Sequence, residues 1–228
     1  MPLTDAFTVD VIVALTTVSD LAPSGGSVTM TTFVFAPSTY LPIAIGFFGL
    51  GTGYFIWGGQ ALFGIPDPKM SPGLDKTMGM WGFWMPGFMQ FITGVYLLVG
   101  LTWFGVFVKA PPLYMAGLAF TAYGIHWFAM AHRRFIGSSP DADGWMAIAF
   151  LILSILGVYV FIAANDIPVA IVFIGLCLIY LTEIPARFVK SAAAARTVGL
   201  FQFLTGIWLM YMTIATVINF SLGGKLWL

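Results

Sequence analysis

Two stretches of the chain repeat one arrangement of polar side chains within otherwise apolar sequence. Gln90-Phe91-Ile92-Thr93-Gly94 and Gln202-Phe203-Leu204-Thr205-Gly206 each place an amide, a hydroxyl and a bare backbone position at i, i+3 and i+4, which on a helix is one face. An uncharged amide among hydrocarbon groups is costly unless a partner or a water-filled cavity receives it. Gln90 and Gln202, with Thr93 and Thr205 beside them, are therefore expected either to bond across helices or to line a passage, offering donors and acceptors without fixed charge. A third polar face lies in Ala119-Phe120-Thr121-Ala122-Tyr123-Gly124-Ile125-His126-Trp127, where Tyr123, His126 and Trp127 share one side. A phenol there can obstruct by bulk and bond a carboxylate or amide, and an imidazole near its reference pKa can respond to pH.

Ionisable groups are scarce. Glu183 is the acid nearest a helix interior, and Arg187 at i+4 stands where it can neutralise it. The stretches that could span a bilayer otherwise lack Asp, Lys and Arg at their centres, which argues against a carrier of Na⁺ or metal ions that needs carboxylate ligands. No phosphate-binding loop, dinucleotide fingerprint, nucleophile elbow or zinc spacing occurs, and His126 and His132 are not spaced as a metal or haem pair. The chain is therefore expected not to be an enzyme and to carry no metal or cofactor. Cys177 is the single cysteine and is expected to pack as a small apolar group.

The elements that must position these groups are long apolar helices. Of 228 residues, 60% are hydrophobic, 17% aromatic and only 8% charged, too little charge to cover a water-soluble globule. Nine basic residues balance nine acidic ones, so no basic footprint for nucleic acid exists. The expected fold is all-α, an integral membrane bundle of six spans. These run roughly over 41–64, 78–108, 112–131, 144–164, 168–184 and 197–222, each near the twenty or so residues a bilayer requires. The second is over-long, and a break is expected near Pro86-Gly87. Gly46, Gly49 and Gly53, and Gly117 with Gly124, predict close helix packing. Residues 1–40 read as a pre-membrane segment that fits neither a secretory leader nor a span, and residues 41–228 as the transmembrane domain. Loops after the first, third and fifth spans hold Lys69, Lys76, Arg133, Arg134, Arg187, Lys190 and Arg196, against Lys109 and Lys225 on the other side. That predicts both termini outside.

The third-span motif Ala119 to Trp127 resembles the third helix of the acetate uptake transporter family. Pro42 to Gly49 is similar to that family's first helix, Met89-Gln90 with Gly94 to its second, and Gly199 to Asn219, including Gly206, Tyr211 and Asn219, to its last. The Asn-Pro-Ala that precedes the family's first helix is replaced by Phe35-Ala36-Pro37-Ser38. The resemblance implies a hexamer of six-helix protomers in a bacterial inner membrane that moves acetate, and in some members succinate, passively or with protons. It also implies a constriction of Phe48, Tyr123 and Leu176, with Gln90, Thr93, Thr121, His126, Gln202, Thr205, Tyr211 and Asn219 as polar lining. The expected partners are then a small-molecule solute, the lipid bilayer and further copies of the chain. Asp67-Pro68-Lys69 and Gly144-Trp145 resemble the urea and short-chain amide channels, which have the outward termini the charge tally predicts. An accessory subunit of a larger membrane complex is a further alternative.

Overall fold

A computed structural model describes residues 42–100 and 110–228. The pre-membrane segment 1–40 and the second span's expected extension to Val108 lie outside the described residues. All elements among the described residues are helical: α1 (Ile43–Phe63), α2 (Leu74–Val99), α3 (Pro112–Ile136), α4 (Asp143–Ala163), α5 (Ile167–Phe188) and α6 (Ala192–Leu222). Local chemistry sets their ends. The α1 and α3 helices stop at Gly64 (φ 69°) and Gly137 (φ 73°), left-handed caps that cost glycine little. Pro112 opens α3, Asp166 caps α5 by accepting from the Val169 N–H at 3.2 Å, and Ser191 caps α6 by accepting from the Ala194 N–H at 3.3 Å.

The expected break in the second span is a wide turn. Residues Phe83–Phe88 of α2 form a π-helical segment containing Pro86, because proline has no N–H for the helical ladder and its ring crowds the preceding turn. This turn presses into α1. A Cβ on Gly49 would lie 2.5 Å from the Met85 carbonyl oxygen, and one on Gly53 would lie 2.6 Å from Pro86 Cγ. Gly46 faces Phe120 of α3, and Gly51, Gly58 and Gly59 face α6, where Gly58 meets Gly199 and Gln202.

Neighbouring rods close a ring in the order α1, α6, α5, α4, α3, α2 and back to α1. The thinnest backbone seam is α3 against α4, and side chains bridge it: Tyr123 with Ser154, His126 with Met146, and Arg133 with Asp143. Inside the ring lie fully buried Trp127, Leu97, Leu176, Ile179, Leu209 and Met212. The outside is apolar too, with Trp81, Trp84, Ile152, Tyr159, Leu204 and Ile214 exposed, a surface that suits lipid and not water. Four helices (α2, α4, α5 and α6) are long and apolar enough to cross a membrane, and the chain is an integral membrane protein. The other two, α1 and α3, have the length, but glycine dilutes the apolar content of α1 and His126, His132, Arg133 and Arg134 that of α3.

The α2 and α3 backbones touch where Gly124 faces Phe91. A Cβ on Gly124 would stand 2.5 Å from the Phe91 nitrogen and 2.7 Å from its Cα, atoms that cannot rotate aside. Gly124→Ala is expected to force the two rods apart and cost about 1–3 kcal/mol, measured as a lower unfolding midpoint in detergent. An unchanged midpoint would contradict this packing.

Candidate functional site

Two cavities lie along the ring's interior, one toward each end. The first, of about 250 Å³, is walled by all six rods: Phe47 and Leu50 of α1, Gln90 of α2, Phe120 and Tyr123 of α3, Phe161 of α4, Phe173 and Leu176 of α5, and Leu209 and Met212 of α6. Its polar groups are few. Gln90 is 1% exposed, its Oε1 is buried without a donor, and its amide makes no hydrogen bond among the described residues. An unpaired amide in such a place costs on the order of 1–3 kcal/mol, a cost that a polar guest would remove.

Tyr123 reaches the same wall with its hydroxyl committed. Ser154 Oγ donates to the Phe150 carbonyl at 2.6 Å, so at the 2.9 Å Tyr123–Ser154 contact the phenol is the donor. Its lone pairs stay available. At the mouth, Asp166 lines the cavity from the turn between α4 and α5. Burial holds its carboxyl above the ordinary value of 3.8, an effect the bond from the Val169 N–H partly offsets.

The second cavity, about 370 Å³, lies at the opposite end among Trp57, Asp75, Arg133, Arg134, Arg187 and Gln202. Between the two sits a septum of buried rings. Tyr54 separates Leu50 from Trp57 along α1, Trp127 separates Tyr123 from Arg133 along α3, and Tyr180 separates Leu176 from Ala186 along α5, each ring no more than 3% exposed. Trp127 packs on Trp57 at 4.8 Å and on Tyr54 at 5.8 Å, and Tyr180 stacks on Tyr123 at 6.1 Å.

Tyr123, Leu176 and Gln90 all line the first cavity, but Phe48 does not. It is 41% exposed on the outer face of α1, and its neighbour Phe47, 4% exposed, lines the cavity instead. Successive helical residues point about 100° apart, so the two phenylalanines cannot share a face. Gln202 is separated from Gln90 and lines the second cavity. The remaining polar positions are engaged away from the first cavity. Thr93 and Thr121 donate to the carbonyls of Met89 and Gly117 within their own helices, and Thr205 is buried against Gly175 of α5. His126 Nδ1 lies 2.9 Å from Met146 Sδ in the α3–α4 seam. Tyr211 donates to the Trp227 carbonyl, and Asn219 bonds Leu226 twice, so both hold the segment after α6, whose Leu228 reaches the cavity wall. Glu183 and Arg187 form the expected pair at 2.7 Å.

The septum tyrosines and Asp166 were not singled out by sequence. A signal for Asp166 existed in Asp166-Ile167-Pro168, an N-cap followed by a first-turn proline. Nothing local marks Tyr54 or Tyr180 apart from other aromatic residues of a bundle.

No protein-family model matches the sequence, and no curated protein matches it. Among solved structures, the bacterial acetate channel SatP aligns with 83% of this chain and 98% of its own at 15% identity, with a TM-score of 0.63. The six-rod ring with its interior cavities thus has the fold of a bacterial acetate channel.

Proposed function

We propose that the chain conducts a small monocarboxylate, acetate or a close relative, across the bacterial plasma membrane, passively or with protons. The observation that carries this reading is the unbonded amide of Gln90, buried in an apolar cavity to which all six rods contribute. The cavity holds a two-carbon acid with its methyl against Phe47, Phe120 and Leu176 and its oxygens toward the Gln90 amide. Shared fold with an acetate channel supports the reading. Phe47, Tyr123 and Leu176 form the constriction, and the Tyr54–Trp127–Tyr180 septum keeps the route shut to water and hydrated ions. In this proposal all six rods span the bilayer, with α1 and α3 held by their neighbours. The protomers assemble as a hexamer through the exposed apolar faces, and the Lys/Arg tally puts both termini outside.

A second reading, a urea or short-chain amide channel, is favoured by the same amide, since a neutral group with free donor and acceptor capacity also fits a neutral amide. Flux of acetate, succinate, urea and acetamide into proteoliposomes separates the two. Acetate flux above that of urea and acetamide supports the carboxylate reading, and urea or acetamide flux without acetate flux replaces it. Tyr123→Ala is expected to keep the fold and lose discrimination among the four solutes. Unaltered selectivity would remove Tyr123 from the constriction.

Asp166 gives this flux a pH dependence. Its folded pKa is raised, so its uncharged form is favoured in acid and that contribution to stability is lost as pH rises through the folded value. Above the folded pKa a carboxylate stands at the mouth and repels an acid anion. Asp166→Asn keeps an N-cap oxygen and removes the charge. Acetate flux at pH 7 is expected to rise roughly fivefold, the scale of about 1 kcal/mol between close charges in water, with a flatter pH profile. Equal flux in both proteins at pH 7 would exclude a role for this carboxylate.

A further inference from the structure

Past the end of α6 the chain turns back on itself. Gly223, at φ 65°, ends the helix in the left-handed region, and the Gly224 N–H donates to the Ile218 carbonyl at 3.2 Å. A Cβ on Gly224 would lie 2.6 Å from Ile218 Cγ2, so a bare backbone is what lets the chain reverse this close to the helix. The residues that follow, Lys225-Leu226-Trp227-Leu228, return along α6.

Side chains of α6 hold this strap by its backbone. Asn219 donates from Nδ2 to the Leu226 carbonyl and accepts from the Leu226 N–H, both at 2.8 Å, and the Tyr211 hydroxyl donates to the Trp227 carbonyl at 2.9 Å. The Trp227 ring meets Trp208 edge-on at 5.8 Å, and Trp208 is itself stacked on Tyr211 at 5.0 Å and bonded to the Pro168 carbonyl at 3.0 Å. With the backbone fixed in this way, Leu228 reaches the first cavity. Among the described residues that line it, Leu228 and Asp166 alone lie outside the helices. Ile43, Leu113 and Phe220 line the same end, from the first turns of α1 and α3 and the last turn of α6.

The strap differs from the rest of the wall in how little holds it. Its hydrogen bonds among the described residues all go to one rod, and the three from Asn219 and Tyr211 are solvent-exposed, where water competes for each donor and acceptor. Leu226, Trp227 and Leu228 stay 39%, 54% and 37% exposed. Release of the strap separates no rod from another, so it is a local opening that leaves the bundle folded.

We propose that residues 223–228 form a strap that closes the mouth of the first cavity, with Leu228 as its plug and Asn219 and Tyr211 as its clasp. Its purpose rests on the conduit reading: solute enters when the clasp lets go and the strap swings about Gly223-Gly224. The closed strap is an autoinhibitory contact in series with the septum. It also gives a task to Tyr211 and Asn219, the two polar residues of α6 that bond the returning chain instead of lining the cavity.

Access to the mouth can be measured without flux. The full chain in nanodiscs carries Cys177→Ala, which removes the natural thiol, and Leu113→Cys, which puts one at a half-buried position on the cavity wall. The rate at which a water-soluble methanethiosulfonate modifies it is followed by intact mass. Asn219→Ala removes two clasp bonds and is expected to speed labelling roughly tenfold, and Tyr211→Phe removes one and is expected to speed it roughly threefold, the scale of exposed hydrogen bonds. Leu228→Ala leaves every clasp bond in place and is expected to speed labelling too, and in all three the unfolding midpoint is expected to stay unchanged. Equal labelling rates with and without these replacements, or faster labelling only where the midpoint falls, would overturn the proposal. Faster labelling at an unchanged midpoint, with no acetate flux in any of these proteins, would leave the strap standing and defeat the conduit reading alone.

Discussion

Gln90→Leu is expected to lower saturable acetate flux by roughly 10–100-fold while leaving the protein as stable as before or more so. The reasoning separates function from folding. The Gln90 amide is buried with no protein partner among the described residues, so replacing it with an apolar group of similar size removes a desolvation cost and should not harm the bundle. With a carboxylate in the cavity, the same amide donates to a charged acceptor in apolar surroundings, worth roughly 1.5–3 kcal/mol, which converts to the stated loss of flux. A structural amide gives the opposite pattern, with lost stability and unchanged transport. Unfolding midpoints measured beside flux on the same preparations distinguish the two.

Arg187→Met is expected to cost about 3–5 kcal/mol of stability, because it strips a buried carboxylate of its partner. Glu183 has a side chain 4% exposed and takes bonds from Arg187 Nε at 3.1 Å and Nη2 at 2.7 Å. Once the guanidinium is gone, no other group among the described residues donates to that carboxyl. The double replacement Glu183→Leu with Arg187→Met is expected to recover most of the loss, since an apolar pair needs no mutual neutralisation. Chemical or thermal unfolding of the natural chain, the single variant and the double variant checks this. A single variant as stable as the natural chain would mean that water reaches Glu183.

Much of this arrangement was legible in the sequence, for reasons tied to particular residues. Apolar runs set the six rods, and Pro86 forecast the irregular turn because a missing N–H must break the helical ladder. Gly124 and Gly53 forecast close approach because only a missing Cβ allows it. The Glu183–Arg187 pair followed from i,i+4 geometry. What the sequence hid was direction and depth. Phe47 and Phe48 are the same residue type, so the pattern could not choose which one turns inward. Gln90 and Gln202 share a motif, yet Gln90 lies sixteen positions after Leu74 and Gln202 ten after Ala192, about 24 Å and 15 Å along their rods at the helical rise. The same local device thus serves two different cavities. Tyr211 and Asn219 engage a returning segment at Leu226 and Trp227, a fold-back that no helical periodicity encodes.

The most direct measurement is uptake of radiolabelled acetate into proteoliposomes at pH 8, where the acid is ionised and does not cross lipid unaided. The natural chain should take up acetate with saturation, well above protein-free vesicles, and the Gln90→Leu protein should fall toward the vesicle baseline. Uptake by the natural chain no faster than by protein-free vesicles, from protein shown to be folded and inserted, would contradict the account.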